Sequence, residues 1–267
     1  QAILDGLAQD GPSDAERVTL TRAIEELYTF SPFINRTRRR DIGEFTTRKP
    51  ETLTVPFTEE QQAFHDDLLR FVQRILERTH EATNVAFMTT TLRRQAASCL
   101  FGLAPLLEDM LLGKLDELEL LEMDDRGQSP DPGFLERIRE DLQALLDRAR
   151  KLNPEDPKLR VFLRAIEDTQ RRENHKALVF STFRHTLRYL EQHALAAGHR
   201  VGLIHGGVPD DLRVELRGRF SLPKENPDAL DVLLCSEVGC EGLDFQHCDL
   251  LVNYDLPWNP MRIEQRI

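Results

Sequence analysis

Four short apolar runs in the second half of the chain are each followed by small hydroxyl, glycine or acidic residues. The runs ALVF, VGLI, VLLC and LLVNY precede Ser181-Thr182, His205-Gly206-Gly207, Ser236-Glu237 and Asp255. Short, continuously apolar runs are typical of strands buried in a parallel sheet, whose carboxyl ends meet ligands at one edge. Small hydroxyls and bare amides there can approach phosphate oxygens closely. The four ends together predict a surface for a polyphosphate or a nucleic acid.

Ordinary structural roles are the alternative for these residues. Ser181 and Thr182 are of the types that cap strand ends, and His205 is better interpreted as a packed or hydrogen-bonded histidine than as a catalyst. Trp258, between two prolines, is interpreted as a structural plug. A single turn of this kind says little, so the prediction depends on the four turns taken together.

The cysteines offer a second possible chemistry. Cys235, Cys240, His247 and Cys248 suggest zinc ligands, but their spacing contains no Cys-x-x-Cys pair and Cys235 ends an apolar run. A disulfide scaffold would need more than the 4 cysteines present, in a shorter secreted chain. Reduced thiols in a cytoplasmic protein, with no bound metal, are the favoured interpretation.

Composition limits the partners that the chain can have. Its 267 residues are enough for about two domains, and 40% of them are hydrophobic. No apolar run approaches the ~18 residues of a membrane helix, so no membrane partner is expected. The net charge of −11 opposes a surface coated for nucleic-acid binding. Residues 35–49 are nevertheless basic and include Arg38 and Arg39, which predicts either a local phosphate-binding groove or a solvated loop.

Patterning divides the chain into three parts. Residues 1–57 are irregular and end in the alternating segment 51–57 (ETLTVPF), which predicts a strand. Residues 58–152 predict a helical insertion, with a second helix over 91–112 that is broken near Pro105. Residues 153–267 alternate helices with apolar strands, which predicts an α/β lobe with a parallel sheet covered on both faces.

The helical part has two sharper signals. Thr58 followed by Gln61 forms a capping box at the start of the first helix. Two sets of apolar residues then recur at helical spacing and predict core faces. These are Phe64, Leu68, Phe71 and Ile75 in the first helix, and Phe134, Ile138, Leu142 and Leu145 in the third.

The chain resembles a known class of motor along most of its length. The lobe at 153–267 is similar to the second RecA-like lobe (helicase C-terminal type) of superfamily-two helicases in the Swi/Snf branch, particularly the bacterial RapA-like members. The matching segments run in the family's order: KLRVFLRAIEDT, KALVFSTFRHTLRYL, HGGVPDDLRVELRGRF, LLCSEVGCEGLDFQ and NYDLPWNPMRIEQRI. FINRTRRRDIGEFTTRKPETLTVPFTEEQ resembles the basic link between the two lobes, and LRRQAASCL resembles the family's Arg-Gln helix. Residues 79–90 and 110–133 are unmatched.

The resemblance implies nucleic-acid-binding roles at particular positions. Ser181 and Thr182 fall where the family touches the nucleic-acid backbone. Gly206 lies in a turn with the same role, and Arg213 is expected to support that turn. Ser236 matches the hydroxyl that contacts a phosphate of the tracked strand. The basic residues Arg38 and Arg39 fall in the interlobe link.

The resemblance also implies a nucleotide-binding face. Gly242 and Asp244 match the loop that faces ATP, and Gln265 opens the last motif. Glu241 departs from the Arg or Ala of other helicase branches but suits Swi/Snf members. The alternatives are that Gly242 only permits a tight turn and that Asp244 only caps a helix or turn.

The machinery for hydrolysis is expected to be divided between this chain and residues outside it. The family binds ATP and Mg²⁺ between two lobes, and its phosphate loop and acidic box belong to the first lobe. This chain has no Gly-x-x-x-x-Gly-Lys-Ser/Thr sequence. Residues 116–119 (DELE) imitate an acidic box, but their leucine-rich flanks predict a helix instead. The catalytic arginines of the family would follow Ile267, so no catalytic residue or metal ligand is assigned here.

Several functions are therefore expected or left open. The favoured hypothesis is the distal part of an ATP-dependent motor that translocates along duplex DNA, interpreted as a piece of a longer chain that is inactive alone. Its partners would be nucleic acid, the first motor lobe of the same protein and other proteins of a bacterial assembly. The alternative is a non-catalytic nucleic-acid- or protein-binding lobe in a defence or transcription-associated assembly. A free-standing domain with a small ligand is the third hypothesis.

Overall fold

The computed structural model describes residues 49–78, 82–112, 136, 138–236, 248–257 and 263. Gln1–Leu53 and Thr54–Ile267 form two units, and every helix and strand described below lies in the second. The predicted core position Phe134 and the acidic segment 116–119 lie outside the described residues.

In the described part of the chain that precedes the sheet, four α-helices and a short 3₁₀ turn form a helical block. They are α1 (Glu59–Arg78), α2 (Ala82–Ser98), the turn Leu100–Gly102, α3 (Leu103–Leu111) and α4 (Arg139–Arg150). The predicted capping box begins α1: the Thr58 amide donates to Gln61 Oε1 at 3.1 Å, and the Gln61 amide donates to Thr58 Oγ1 at 3.2 Å. These reciprocal bonds satisfy two amides that the first helical turn would otherwise leave unpaired.

The predicted apolar faces of this block are confirmed as its core. The α1 residues Phe64, Leu68, Phe71 and Ile75 are buried, and so are Ile138, Leu142 and Leu145 around α4. They pack in one cluster with leucines of α2 and α3. Burial of these side chains stabilises helices whose own propensity would not suffice in water.

Two local predictions in this part are wrong. The break in the second helix lies at Cys99–Gly102 rather than at Pro105. Pro105 falls in the first turn of α3, where helix amides have no intrahelical partner and a missing N–H costs little. The segment 51–57 forms no strand, and Leu53 is 56% exposed. Alternation predicts a strand only where a neighbouring strand and a core exist to receive it. The Phe57 ring instead lies tilted against the His65 ring in α1, with 5.6 Å between the ring centroids.

Within its described residues, the lobe contains three helices and four strands in the predicted alternation. They are α5 (Pro157–Thr169), β1 (Ala177–Phe180), α6 (Arg184–Ala196), β2 (Val201–Ile204), α7 (Asp210–Ser221), β3 (Val232–Cys235) and β4 (Leu250–Asn253). Asp156 caps α5 by accepting from the Lys158 amide at 2.9 Å, and Pro157 occupies its first turn. Gly198, just beyond α6, has a φ of +87°, a left-handed conformation that glycine adopts without strain.

The sheet has the strand order β2-β3-β1-β4, and every pair is parallel. Alternate residues of β1 and β3 enter two different cores. Ala177, Val179, Val232 and Leu234 pack with α5 and α6, while Leu178, Phe180, Leu233 and Cys235 pack with α7. The predicted α/β fold, a parallel-sheet lobe preceded by helices, is confirmed.

Candidate nucleic-acid interface

The carboxyl ends of the four strands lie side by side at one edge of the sheet. Phe180 pairs in register with Cys235 on one side and with Asn253 on the other, and Ile204 also pairs with Cys235. The residues that follow continue this alignment. Ser236 N donates to Ile204 O at 2.9 Å, and Ser181 N donates to Cys235 O at 3.1 Å. The turns that the sequence singled out therefore converge, as expected at the ligand-binding edge of an open α/β sheet.

Ser236 occupies the centre of this edge. It is 2% exposed, and its hydroxyl has no hydrogen-bond partner within the described ranges, which leave out 237–247. A buried hydroxyl without a partner costs free energy, so a phosphate oxygen or a nearby chain segment that pairs with it would gain stability. Among the described hydroxyls at this edge, the Ser236 hydroxyl is therefore the one left able to bond a ligand.

The β2 turn is held from α7 by an arginine. Arg213 donates from one guanidinium nitrogen to the backbone oxygens of His205 at 3.2 Å and Gly206 at 2.8 Å. The Gly207 amide donates to Nδ1 of His205 at 3.1 Å. The imidazole thus accepts a bond within its own turn, consistent with the structural interpretation of His205. Arg213 therefore fixes the backbone of the Gly206 turn to α7.

Ser181 and Thr182 are bonded to a carboxylate at the end of β4. The Ser181 hydroxyl donates to Asp255 Oδ2 at 2.5 Å. The Thr182 amide and hydroxyl each donate to Asp255 Oδ1 at 2.9 Å. The Phe183 amide completes a local turn by donating to Ser181 Oγ at 3.3 Å. Both hydroxyls thus serve as strand-end caps, and a phosphate would have to share or replace Asp255 to meet them.

Sequence reasoning missed the residues that join this edge to the helical block. Ser98 of α2 also donates to Asp255 Oδ2, at 2.7 Å, and contacts Thr186 Oγ1 at 2.9 Å. Gln95, one turn earlier on α2, donates to Thr186 Oγ1 at 3.0 Å. A signal existed in the segment LRRQAASCL, where Gln95 and Ser98 are polar residues three apart among Leu92, Ala96 and Leu100.

Burial shifts the titration of several groups around this junction. It raises the pKa of the Cys99 thiol to about 12, so the thiol stays protonated. Burial also lowers the pKa of Lys158, against the opposing charges of Asp255 and Asp156. The Lys158 ammonium group donates to Ser98 O at 2.7 Å and lies 4.0 Å from the centroid of the Tyr254 ring. Lys158 is thus a half-buried cation whose charge acts on the half-buried Asp255 carboxylate.

Other predicted site residues lie outside the described part of the chain. These are Gly242, Asp244 and Gln265 on the expected nucleotide face, Arg38 and Arg39 in the basic link, and Trp258. The fit of ATP to its expected residues is therefore not visible. Within the described ranges no group of three His, Cys, Asp or Glu residues could hold a metal ion, while Cys240 and His247 of the zinc alternative are not among them. No described helix is long and apolar enough to span a membrane.

Several known proteins are similar to this chain in sequence or structure. Residues 157–267 match the family described as "Helicase conserved C-terminal domain". The chain is 27% identical over 239 residues, 87% of its length, to the "Uncharacterized ATP-dependent helicase YqhH" of Bacillus subtilis. It is 35% identical over 102 residues, 38% of its length, to the "ATP-dependent RNA helicase RhlB" of Shewanella sediminis, 22% of which is covered. The C-terminal part of the Fun30 ATPase domain aligns over 78% of this chain and 74% of its own, at 16% identity with a TM-score of 0.47.

The family match covers the part of the chain that contains the sheet. Residues 157–267 are similar to the helicase conserved C-terminal domain, and the strands described within them form a parallel α/β sheet. The chain spans 36% of the length of YqhH, so most of that relative has no counterpart here.

Proposed function

We propose that this chain is the distal part of an ATP-dependent motor of the Swi/Snf, RapA-like type that translocates along duplex DNA. The observation that carries the proposal is the alignment of Ser181, Ser236 and the His205–Gly207 turn at one edge of a helicase C-terminal lobe. The names of the relatives, both ATP-dependent helicases, support the use of ATP.

Each part of the chain has a place in this proposal. Residues 1–57 are the end of the first lobe and the basic link, in which Arg38 and Arg39 bind nucleic acid. Residues 58–152 are the helical insertion, and residues 153–267 are the second lobe. Gly242, Asp244 and Gln265 face the nucleotide, whose phosphates and Mg²⁺ are bound by the first lobe. Arginines of the second lobe stabilise charge on the transferred phosphate.

The edge of the sheet is suited to gripping a phosphate backbone. Ser236 offers a hydroxyl at the centre, and the Gly206 turn, held by Arg213, presents backbone close to the same edge. Contacts of this kind position a protein on a duplex without reading its bases. Weak sequence preference and strong salt dependence are the consequences. Closure of the lobes on ATP and their opening after hydrolysis would then move the grip along the strand.

The test is binding of the 267-residue chain to a fluorescent DNA duplex, measured by anisotropy over a range of salt concentrations. We expect the logarithm of the affinity to fall linearly with the logarithm of salt concentration, by about 0.9 per phosphate contacted. Ser236→Ala should weaken binding by about fivefold, the size of one lost hydrogen bond of ~1 kcal/mol.

Ser221→Ala is the matched control, because Ser221 is exposed at the end of α7 and its hydroxyl donates to Gly218 O. This variant should bind like the parent chain. Salt-independent binding, or equal losses in both serine variants, would contradict a phosphate grip at Ser236.

An RNA track is the second candidate, since RhlB is named as an RNA helicase and is 35% identical to this chain over 102 residues. A duplex RNA of the same sequence, titrated in parallel, distinguishes the two. Tighter binding of the RNA duplex at every salt concentration would favour the RNA track over duplex DNA.

A further inference from the structure

Asp255 is bonded at its full capacity by uncharged donors. Its Oδ2 accepts from the hydroxyls of Ser98 and Ser181, and its Oδ1 accepts from the amide and hydroxyl of Thr182. A carboxylate offers about four lone-pair sites, and four donors occupy them. Two of the four bonds reach Thr182, one reaches Ser181, and the fourth leaves the lobe for helix α2.

The hydroxyl groups between helix α2 and the lobe can donate their hydrogen bonds in only one order. Asp255, as a carboxylate, only accepts, so the single proton of Ser98 points at it. Thr186 must then donate its proton to Ser98, at 2.9 Å. Thr186 in turn accepts from the Gln95 amide group at 3.0 Å. The donors therefore run Gln95, Thr186, Ser98, Asp255, alternating between α2 and the lobe.

Three of the four members of this donor chain are shielded from water, and only Asp255 is half-buried. Gln95 and Thr186 are 0% exposed and Ser98 is 1% exposed. Buried polar groups are costly unless every one is paired, so a shift of α2 against α6 breaks several bonds at once. The Gln95 amide group also donates to Cys99 O at 3.1 Å, which fastens it to the end of α2.

We infer that Ser98, Thr186 and Gln95 are positioning residues: through Asp255 they set the geometry of the Ser181–Thr182 turn. The helices that precede the lobe thereby control one part of its phosphate-facing edge. The importance of that edge for nucleic acid rests on the proposed function, whereas the coupling itself does not. A displacement of α2 would reach the turn through a single side chain, Asp255.

Amide hydrogen exchange of the 267-residue chain, without nucleic acid, tests the coupling. Ser98→Ala should accelerate exchange of the Thr182 amide by about fivefold, the factor that one hydrogen bond contributes to local opening. The amides of β1 should keep their rates and serve as an internal reference. A Thr182 rate equal to that of the parent chain would overturn the inference.

Two further variants separate positioning from general loosening. Thr186→Val keeps the shape of the side chain but removes the hydroxyl, so it should also accelerate exchange of the Thr182 amide. Thr186→Ser keeps the hydroxyl and should exchange this amide at the parent rate. Equal rates in these two variants would overturn the inference even if Ser98→Ala does not fold. Asp109→Asn is the control, because Asp109 Oδ2 pairs with His185 Nε2 at 3.2 Å across the same junction without touching Asp255. Equal acceleration by Asp109→Asn would show loosening instead of positioning.

Duplex binding, measured on the same variants, keeps the two proposals apart. We expect Ser98→Ala to weaken DNA binding along with its faster Thr182 exchange. If Ser98→Ala accelerates Thr182 exchange but the parent chain has no affinity for duplex DNA or RNA, the proposed function is contradicted and the coupling remains supported.

Discussion

Asp231 is a buried carboxylate at the opposite edge of the sheet from the turns. It is 6% exposed and accepts from Arg200 Nε at 2.9 Å and from the Arg200 amide at 3.0 Å. Burial raises its pKa, but the hydrogen bonds and charge of Arg200 outweigh burial, and the net pKa lies below 3.8. A pair of this kind contributes little net stability when intact but leaves an uncompensated charge when one partner is removed.

Asp231→Asn should lower the free energy of unfolding by about 2 kcal/mol at neutral pH, less than for a fully buried pair because Arg200 is 31% exposed. Because the folded pKa is depressed, the contribution of Asp231 is present above its unfolded pKa near 3.8 and is lost as pH falls through the lower folded value. Urea denaturation near pH 7 and near pH 3 measures the free energy of unfolding of both proteins. The difference between variant and parent should be smaller near pH 3.

Asp228→Asn, at an exposed position in the same loop, provides the comparison and should leave stability within ~0.5 kcal/mol. If Asp231→Asn lowers the free energy of unfolding equally at neutral and acid pH, the stabilising role of the ionised Asp231 carboxylate is contradicted.

The short 3₁₀ turn between α2 and α3 is where the helical block meets the lobe. Cys99 interrupts the helix, and Gly102 packs directly on the buried Gln95 amide group. A Cβ built at Gly102 would lie 2.3 Å from Gln95 Nε2. Gly102 has an ordinary right-handed conformation, so its requirement is space and not backbone freedom. The turn thus allows Gln95 to reach Thr186 while α3 changes direction.

Gly102→Ala should destabilise the chain by about 2 kcal/mol, because the added methyl group displaces Gln95 from its bonds to Thr186 and Cys99 O. Gly218→Ala is the matched substitution on α7, where nothing lies within 4 Å of an added Cβ, and it should stabilise by about 0.5–1 kcal/mol. Thermal unfolding of the two variants gives the comparison. Similar unfolding temperatures for the two variants would show that Gln95 moves aside without loss of stability.

At the scale of the whole molecule, the described residues form a helical block and a parallel-sheet lobe. The helical block and the lobe each have their own core, and polar contacts around Asp255 join them. The sequence holds no phosphate-binding Gly-x-x-x-x-Gly-Lys-Ser/Thr loop. In the proposed motor, catalysis depends on bringing a first lobe against this one, because positioning and charge stabilisation do most of the work of phosphoryl transfer.

The purified 267-residue chain should therefore release no phosphate from ATP above a protein-free control, with or without duplex DNA. Colorimetric phosphate release in the presence of Mg²⁺ measures this. Activity that saturates with ATP and survives further purification would refute the proposed division of the site between two lobes.

Local signals in the sequence determined most of the secondary structure. The capping box at Thr58 and Gln61 begins α1, and Asp156 followed by Pro157 begins α5, because their bonds form between near neighbours. Short apolar runs identified β1 to β4, and their buried residues make the two faces of the sheet. The failures at 51–57 and Pro105 share a cause: a short pattern does not say what packs beside it.

The sequence by itself determined that the lobe is an α/β fold with a parallel sheet and which residues stand at its strand ends, since both follow from periodicity and order along the chain. Tertiary structure alone decided what those residues touch. Ser98 and Thr186 are 88 residues apart and Ser181 and Asp255 are 74 apart, and no period or spacing encodes such pairs. A hydroxyl bonds to whichever acceptor the packed helices and strands bring within about 3 Å, so Asp255 became the shared acceptor of Ser98, Ser181 and Thr182 only when α2, β1 and β4 met.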